Sequence, residues 1–356
     1  MECMLCVRFF CYISIEYVRQ NNIGPYAAEL CRSAVNPGAY MTAISNAETG
    51  MNKAYMAYIS ASAHSSRKKK VEKMRQQAVD AIVVCQSAIN YLPMYKGDNS
   101  LRQSSISYVD LCYKVFNEDY DHIVNMDEIA ERSYDEMQAY LLLQQATDDT
   151  LQVAIKRMDK AEKSFAAKYG VNLVSQETDL GNKMEESNRM SKYRNKVYLL
   201  FYKCNWEDNQ LTEAVNQKNV TKIEQFRSAL NKYAIEGLAV LDTLHYYDND
   251  GSLAAACKQA LDFYKEEAQT ETPKLTDFFL KEENFTKLKT AMEAKSDNQR
   301  TQADVDTYNK AVSDMNDGVN TFNQVNTELN NGRNEANKGW EDTERTFTDA
   351  HTPYYK

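Results

Sequence analysis

The chain has 356 residues, with 42 Lys and Arg against 51 Asp and Glu and a formal net charge of −9. Hydrophobic residues at 43% and charged residues at 26% describe a chain that folds, not a disordered polymer. The acid excess argues against a dedicated binder of nucleic acid or anionic lipid, and only 11 Gly and 5 Pro point to long uninterrupted helices.

Residues 4–15 are apolar but short, interrupted by Arg8 and without a leading basic region, a poor secretory signal. Cys31 follows Glu29 and Leu30, so it lacks the small residue that precedes a lipoprotein cysteine. Residues 1–36 are expected to be an irregular N-terminal segment or a degraded leader. Cys3 and Cys6 form a lone C-x-x-C without a second pair, which is weak support for metal. Cys85, Cys112, Cys204 and Cys257 fall in helical patterns and are expected as small core hydrophobes. The basic run Arg67-Lys68-Lys69-Lys70, with Lys73 and Arg75, is expected as a solvated helix face.

An internal repeat organises the rest. Val71-Glu72-Lys73-Met74-Arg75 returns 152 residues later as Ile223-Glu224-Gln225-Phe226-Arg227. The same offset pairs Leu92 with Leu244, Tyr95 with Tyr247, Asp98 with Asp250, Ser100 with Ser252 and Leu101 with Leu253. Phe165 and Phe347 correspond at an offset of 182, so the second unit carries a longer final helix. Ile223, Phe226, Leu230, Tyr233, Gly237, Val240 and Leu244 alternate by four and three, as a bundle seam does. Val71, Met74, Ala78, Ala81, Cys85, Ala88 and Leu92 repeat it.

Short turns at 95–100 and 247–252 are expected to use Gly in the left-handed region and Asp, Asn or Ser as caps, making neighbouring helices antiparallel. Further helices are expected at 40–65, 99–124 and 127–169, then at 183–216, 252–270, 275–294 and 301–350. The expected fold is all-α: two tandem antiparallel four-helix bundles from an internal duplication, residues 37–170 and 183–356, joined by a linker at 171–182. One fused bundle is the alternative.

The last helix carries a heptad seam through Val305, Tyr308, Val312, Met315, Val319, Phe322, Asn326, Leu329, Arg333, Ala336, Trp340 and Phe347. Beside it Asn309, Asn316, Asn323, Asn330 and Asn337 recur every seven residues, although Asn is a mediocre helix former. This row reads as the polar flank of a packed helix or as an interaction stripe for another chain or a polar ligand. Asn326 and Arg333 inside the seam would then set register or partner choice.

Signatures of catalysis are missing. No H-E-x-x-H, glycine-rich phosphate loop or G-x-S-x-G elbow occurs. Asp119 with His122, and Asp242 with His245, place a carboxylate and an imidazole on one helical face. A ferritin-like dinuclear site would use longer Glu ligands, so these read as bundle-end polar groups. Asp248-Asn249-Asp250-Gly251-Ser252 reads as a helix–helix turn, because a calcium loop would need Tyr246 and Cys257 as ligands.

Gly97-Asp98-Asn99-Ser100-Leu101-Arg102 after a Leu-rich helix, and Phe165-Ala166-Ala167-Lys168-Tyr169-Gly170 closing a long one, resemble an uncharacterised family of helical bacterial surface lipoproteins. The resemblance spans residues 40–350 and implies a cell-envelope location without an assigned activity. The expected function is thus a non-enzymatic helical-bundle protein of the bacterial cell envelope, binding a partner or supporting structure. No catalytic, cofactor or metal residues are expected. The partner would be a protein or polar envelope ligand, with lipid anchorage and homo-oligomerisation both compatible and nucleic acid excluded. A cytoplasmic coiled-coil-like scaffold is the second reading, and a ferritin-like metal-binding bundle the third.

Overall fold

The computed structural model describes residues 36–118, 134–173 and 178–355. Among them every regular element is helical, and β pairing is confined to two isolated bridges, so the fold is all-α. The chain divides into two compact units, Met1–Met190 with Asp349–Lys356, and Ser191–Thr348.

The first unit contains α1 (Pro37–His64), α2 (Lys68–Tyr91), α3 (Ser100–Tyr113) and α4 (Tyr134–Tyr169). Asn36 caps α1 by accepting from the backbone of Gly38 at 2.8 Å, and Pro37 sits at the first helical position where its missing N–H costs nothing. α3 widens at its end into a π-turn, Lys114–Glu118. A core of Tyr40, Ile44, Ile89, Leu101, Val109 and Phe165 ties the four helices together.

At one end of this unit the rings of Tyr40, Tyr95, Phe165 and Tyr169 pack with centroids 4.6–5.5 Å apart. The residues 349–355 belong here too. His64 Nδ1 lies 2.7 Å from Asp349 Oδ1, its ring stacks on Tyr354, and Ser60 Oγ accepts from the Tyr355 backbone.

The turn after α2 explains why the Gly97-to-Arg102 stretch is demanding. Lys96 and Gly97 have φ of 49° and 82°, and Tyr95 and Asp98 exchange both backbone hydrogen bonds. Asp98 Oδ1 accepts from the Ser100 backbone at 2.9 Å and starts α3. Arg102 then reaches back to the last carbonyls of α2, donating to Ile89 O at 3.1 Å and Asn90 O at 2.7 Å. Asp98 Oδ2 meanwhile accepts from Lys168 Nζ at 2.7 Å and from the Tyr169 hydroxyl. The stretches 97–102 and 165–170 therefore meet in space.

α5 (Asp179–Asn216) contributes residues to both units, and α6 (Val220–Asp242), α7 (Ser252–Glu266), α8 (Thr272–Glu293) and most of α9 (Gln302–His351) lie in the second. The helices expected at 252–270 and 275–294 are one continuous rod. α7 passes through a π-turn, Glu267–Glu271, into α8. Pro273 would drive its ring into the carbonyl four residues back in a regular helix, and the wider turn absorbs that clash.

Corresponding details recur at the expected offsets. Tyr247 and Asp250 form the second isolated bridge, Asp248 and Asn249 have φ of 45° and 63°, and Asp250 Oδ1 accepts from Ser252 N at 2.8 Å. Here Asp and Asn occupy the left-handed positions, not Gly251, because both side chains tolerate that region. Gly251 instead lies close to the Tyr246 ring, which an added Cβ would meet at 3.0 Å. Arg75 pairs with Glu72, and Arg227 with Glu224, each at 2.6 Å. Tyr193, Tyr247 and Phe347 cluster as Tyr40, Tyr95 and Phe165 do.

The buried seams differ in one respect from the strict heptad reading. α6 buries Ile223, Leu230, Ala234, Gly237 and Leu241, while Tyr233 is half-buried and Val240 exposed. A straight helix of 3.6 residues per turn drifts about 20° per heptad against a 3.5-residue repeat, which carries Tyr233 and Val240 off the face.

Candidate functional site

The most unusual chemistry in the described residues lies inside the second unit. Arg333, the cation of the α9 seam, donates from Nε to Asp208 Oδ1 at 2.8 Å and from Nη2 to Glu267 Oε1. Both carboxylate residues are 1% exposed. Asp208 faces inward because it follows buried Cys204 by one turn and precedes buried Leu211 by another. Glu267 opens the π-turn, three residues after buried Tyr264. Alongside, Asn205 Nδ2 donates to the Tyr264 hydroxyl and to Asn337 Oδ1, both at 3.0 Å, and the Tyr264 hydroxyl lies 3.1 Å from that same Asn337 oxygen. One turn further, Trp340 stacks on Phe201 with centroids 4.5 Å apart.

Two carboxyl groups share one guanidinium here. A buried, uncompensated negative charge costs several kcal/mol, of order the penalty of a broken buried pair. Burial, with the charge of Asp208 added, pushes the Glu267 carboxyl well above its usual range. Burial raises Asp208 as well, against the pull of Arg333. Glu267 Oε2 meets no hydrogen-bond partner, and both acids turn to the one guanidinium of Arg333.

The neighbouring thiol of Cys204 is raised to about 12 by burial, so it stays protonated and a poor nucleophile. Two surface grooves stand apart from this cluster. One of about 800 Å³ is lined by Ser100, Ser104, Ser107, Asp149, Thr150 and Arg157, and one of about 270 Å³ by Lys274, Asp277, Phe278, Lys281 and Gly318. Neither is lined by a member of the cluster.

The corresponding places in the first unit carry different chemistry, and Lys114, 153 residues before Glu267, is exposed at the start of the first π-turn. Tyr55 lies 153 residues before Asp208 and packs edge-on against Phe116 of the first π-turn, with centroids 5.0 Å apart. Leu151, 182 residues before Arg333, packs on the hydrophobic core. Glu48 of this unit is half-buried, accepts from Ser105 Oγ and is raised to about 7, mainly by burial.

The asparagine row splits. Asn309, Asn316, Asn323 and Asn330 are exposed, whereas Asn337 is half-buried in the network with Asn205 and Tyr264. The drift of a seven-residue row on a straight helix brings its last member to the edge of the core. Asn337 therefore leaves the stripe.

The other candidates resolve plainly. Arg67, Lys68, Lys69, Lys70 and Lys73 are exposed around the start of α2. Cys85, Cys112, Cys204 and Cys257 are buried free thiols. Asp242 ends α6 and pairs with Lys258 at 2.7 Å, while His245 is exposed beyond the helix end, so the two do not share a helical face. Asp119, His122, Cys3, Cys6, Cys11 and Cys31 lie outside the described residues. Among the described residues no cluster of three or more His, Cys, Asp or Glu side chains could hold a metal, and no helix is long and apolar enough to cross a membrane.

Asp208 and Glu267 escape a sequence reading because Glu207-Asp208-Asn209 and Glu266-Glu267 look like solvated charge. The available signal was Arg333: a guanidinium in a packing seam requires acids on the facing helices. No family model, no curated protein and no solved structure matches the chain.

Proposed function

We propose that the chain is a non-catalytic helical-bundle protein that binds a partner or supports structure, built by tandem duplication of one bundle. Support for the first part is a single observation. The charged groups gathered inside the second unit pair with one another within a seam, with both acids buried, and a reaction centre needs groups that reach a substrate. Support for the second part is the recurrence of turn geometry, ion pair and aromatic cluster at fixed offsets. The place of work proposed is the bacterial cell envelope, on the strength of the stretches at 97–102 and 165–170.

The test replaces Arg333, Asp208 and Glu267 together by Met, Leu and Met, and uses the protein as bait in native membranes, alongside palmitate labelling and fractionation. On this reading the variant folds and captures the same partners as the wild type, from the envelope fraction. A folded variant that loses its partners contradicts the packing role, and wholly cytosolic protein contradicts the location. One observation favours a second reading, a cytoplasmic scaffold: four buried free thiols suit a reducing compartment.

A further inference from the structure

The solvent face of α9 carries a second heptad pattern, and it contains no charge. Asn309, Ser313, Asn316, Asn320, Asn323, Thr327, Asn330 and Asn334 follow one another at steps of four and three, and all eight are exposed. At 100° per residue they fall within a strip about 100° wide, opposite the buried Ala311, Gly318, Val325 and Leu329. The strip runs about 38 Å along the helix. Charged residues close it off at Asp306 on one end and Lys338 on the other. None of its six asparagine amides makes a hydrogen bond among the described residues.

A merely solvated face is filled best by Glu, Lys, Gln or Ala, which favour the helix. Asn, Ser and Thr each disfavour it, so composition here runs against local propensity. What the strip offers in return is a surface complementary to itself. Each amide presents a donor and an acceptor, so two such rows can pair side by side, and a single buried Asn at a seam position is known to fix helix register. The repeat of seven is the one a facing helix meets as it supercoils. No charged side chain lies within the strip itself, while the exposed acids Asp306, Asp317, Glu328 and Glu335 run along one flank, so in a chain of net −9 two copies meeting here keep their like charges at the rim.

We infer that α9 pairs with α9 of a second copy of this chain through the 309–334 strip. The inference rests on reading this chain as a partner-binding bundle and names the partner. A strip about 38 Å by about 10 Å covers roughly 400 Å² per copy, near 800 Å² in all, below the ~1,200 Å² of stable complexes. The association is therefore weak and reversible.

The experiment is sedimentation of the purified full chain over a concentration series to about 1 mM, with circular dichroism on every variant. Two charge sets are compared: N316E with N320E, N323E and N330E, and the same four positions changed to Lys. The wild type self-associates reversibly; each charged set alone associates at least tenfold more weakly at unchanged helicity; an equimolar mixture of the two regains association, more strongly at low salt. If a charged set loses helicity, the same four positions changed to Ala replace it and still weaken association.

A wild type that stays monomeric throughout overturns the inference, and so does association that survives the charged set. A mixture that regains nothing also overturns it, and points to a polar ligand on the strip. Discovery of a catalytic activity would defeat the reading of function while leaving this result standing.

Discussion

Tyr55, Lys114 and Leu151 of the first unit stand 153, 153 and 182 residues before Asp208, Glu267 and Arg333 of the second, and the π-turn Lys114–Glu118 stands 153 residues before Glu267–Glu271. The frame around these positions is shared: the left-handed turns, the Arg–Glu pair on the second helix, the aromatic cluster at one end. The interiors diverge. One copy closes its middle with an aromatic pair and a leucine, and the other with a guanidinium and two acids. Stability therefore comes from different sources. The apolar version tolerates any residue of similar volume, whereas the ionic version works only with every member present.

The comparison breaks hardest at Arg333. Arg333→Met leaves two buried acids without a cation and is expected to cost about 3–5 kcal/mol, read by urea unfolding of the second unit. Leu151→Met at the corresponding place should cost less than about 1.5 kcal/mol. Equal losses would erase the distinction between the two interiors.

Next comes pH. Glu48 in the folded first unit holds its proton up to about pH 7, while the unfolded chain releases it near 4.5. The contribution of Glu48 is therefore fully present below pH 4.5 and falls as pH rises to about 7, by roughly 3 kcal/mol for a shift of that size. Glu267 pushes in the same direction over a wider range. Glu48→Gln should raise stability at pH 8 and flatten the Glu48 part of this fall in melting temperature, leaving the part that belongs to Glu267.

Asp98 works with the opposite sign. Lys168 first, and the Ser100 backbone with it, hold its carboxyl well below the usual range, so its contribution is present above pH 3.8 and lost as pH falls. Asp98→Asn should cost about 1 kcal/mol at pH 7, and progressively less as pH falls below 3.8. The smallest effect belongs to the strip on α9. Asn316→Ala, Asn323→Ala and Asn330→Ala should each add about 0.5 kcal/mol of stability through helix propensity. Association, if it uses this face, should weaken while helicity holds or rises.

Much of this framework is legible in residue order. Most helix extents among the described residues, the turns at 95–100 and 247–252, the solvated basic run and the buried cysteines follow from spacing, breakers and polarity, while the expected helix ends at 124 and 127 lie outside the described residues. A strict seven-residue step puts Tyr233 and Val240 on the buried face of α6, and the 3.6-residue turn of an α-helix carries them off it. The rod through Glu267–Glu271 was read as two helices, since a proline ordinarily marks a break and a π-turn leaves no sign of its own. Asp208 and Glu267 were illegible for a different reason: their burial depends on Arg333, more than 60 residues away along the chain. Asn337 failed as a stripe member through the same drift that displaced the seams.

The central claim is that the ionic cluster is a self-compensating packing element. The most direct test sets Arg333→Met beside the combined Arg333→Met, Asp208→Leu and Glu267→Met in equilibrium urea unfolding. The account predicts that the single change loses about 3–5 kcal/mol, and that the apolar triple change recovers most of it or exceeds the wild type. A triple variant that folds no better than the single one would mean the three charges serve something other than one another.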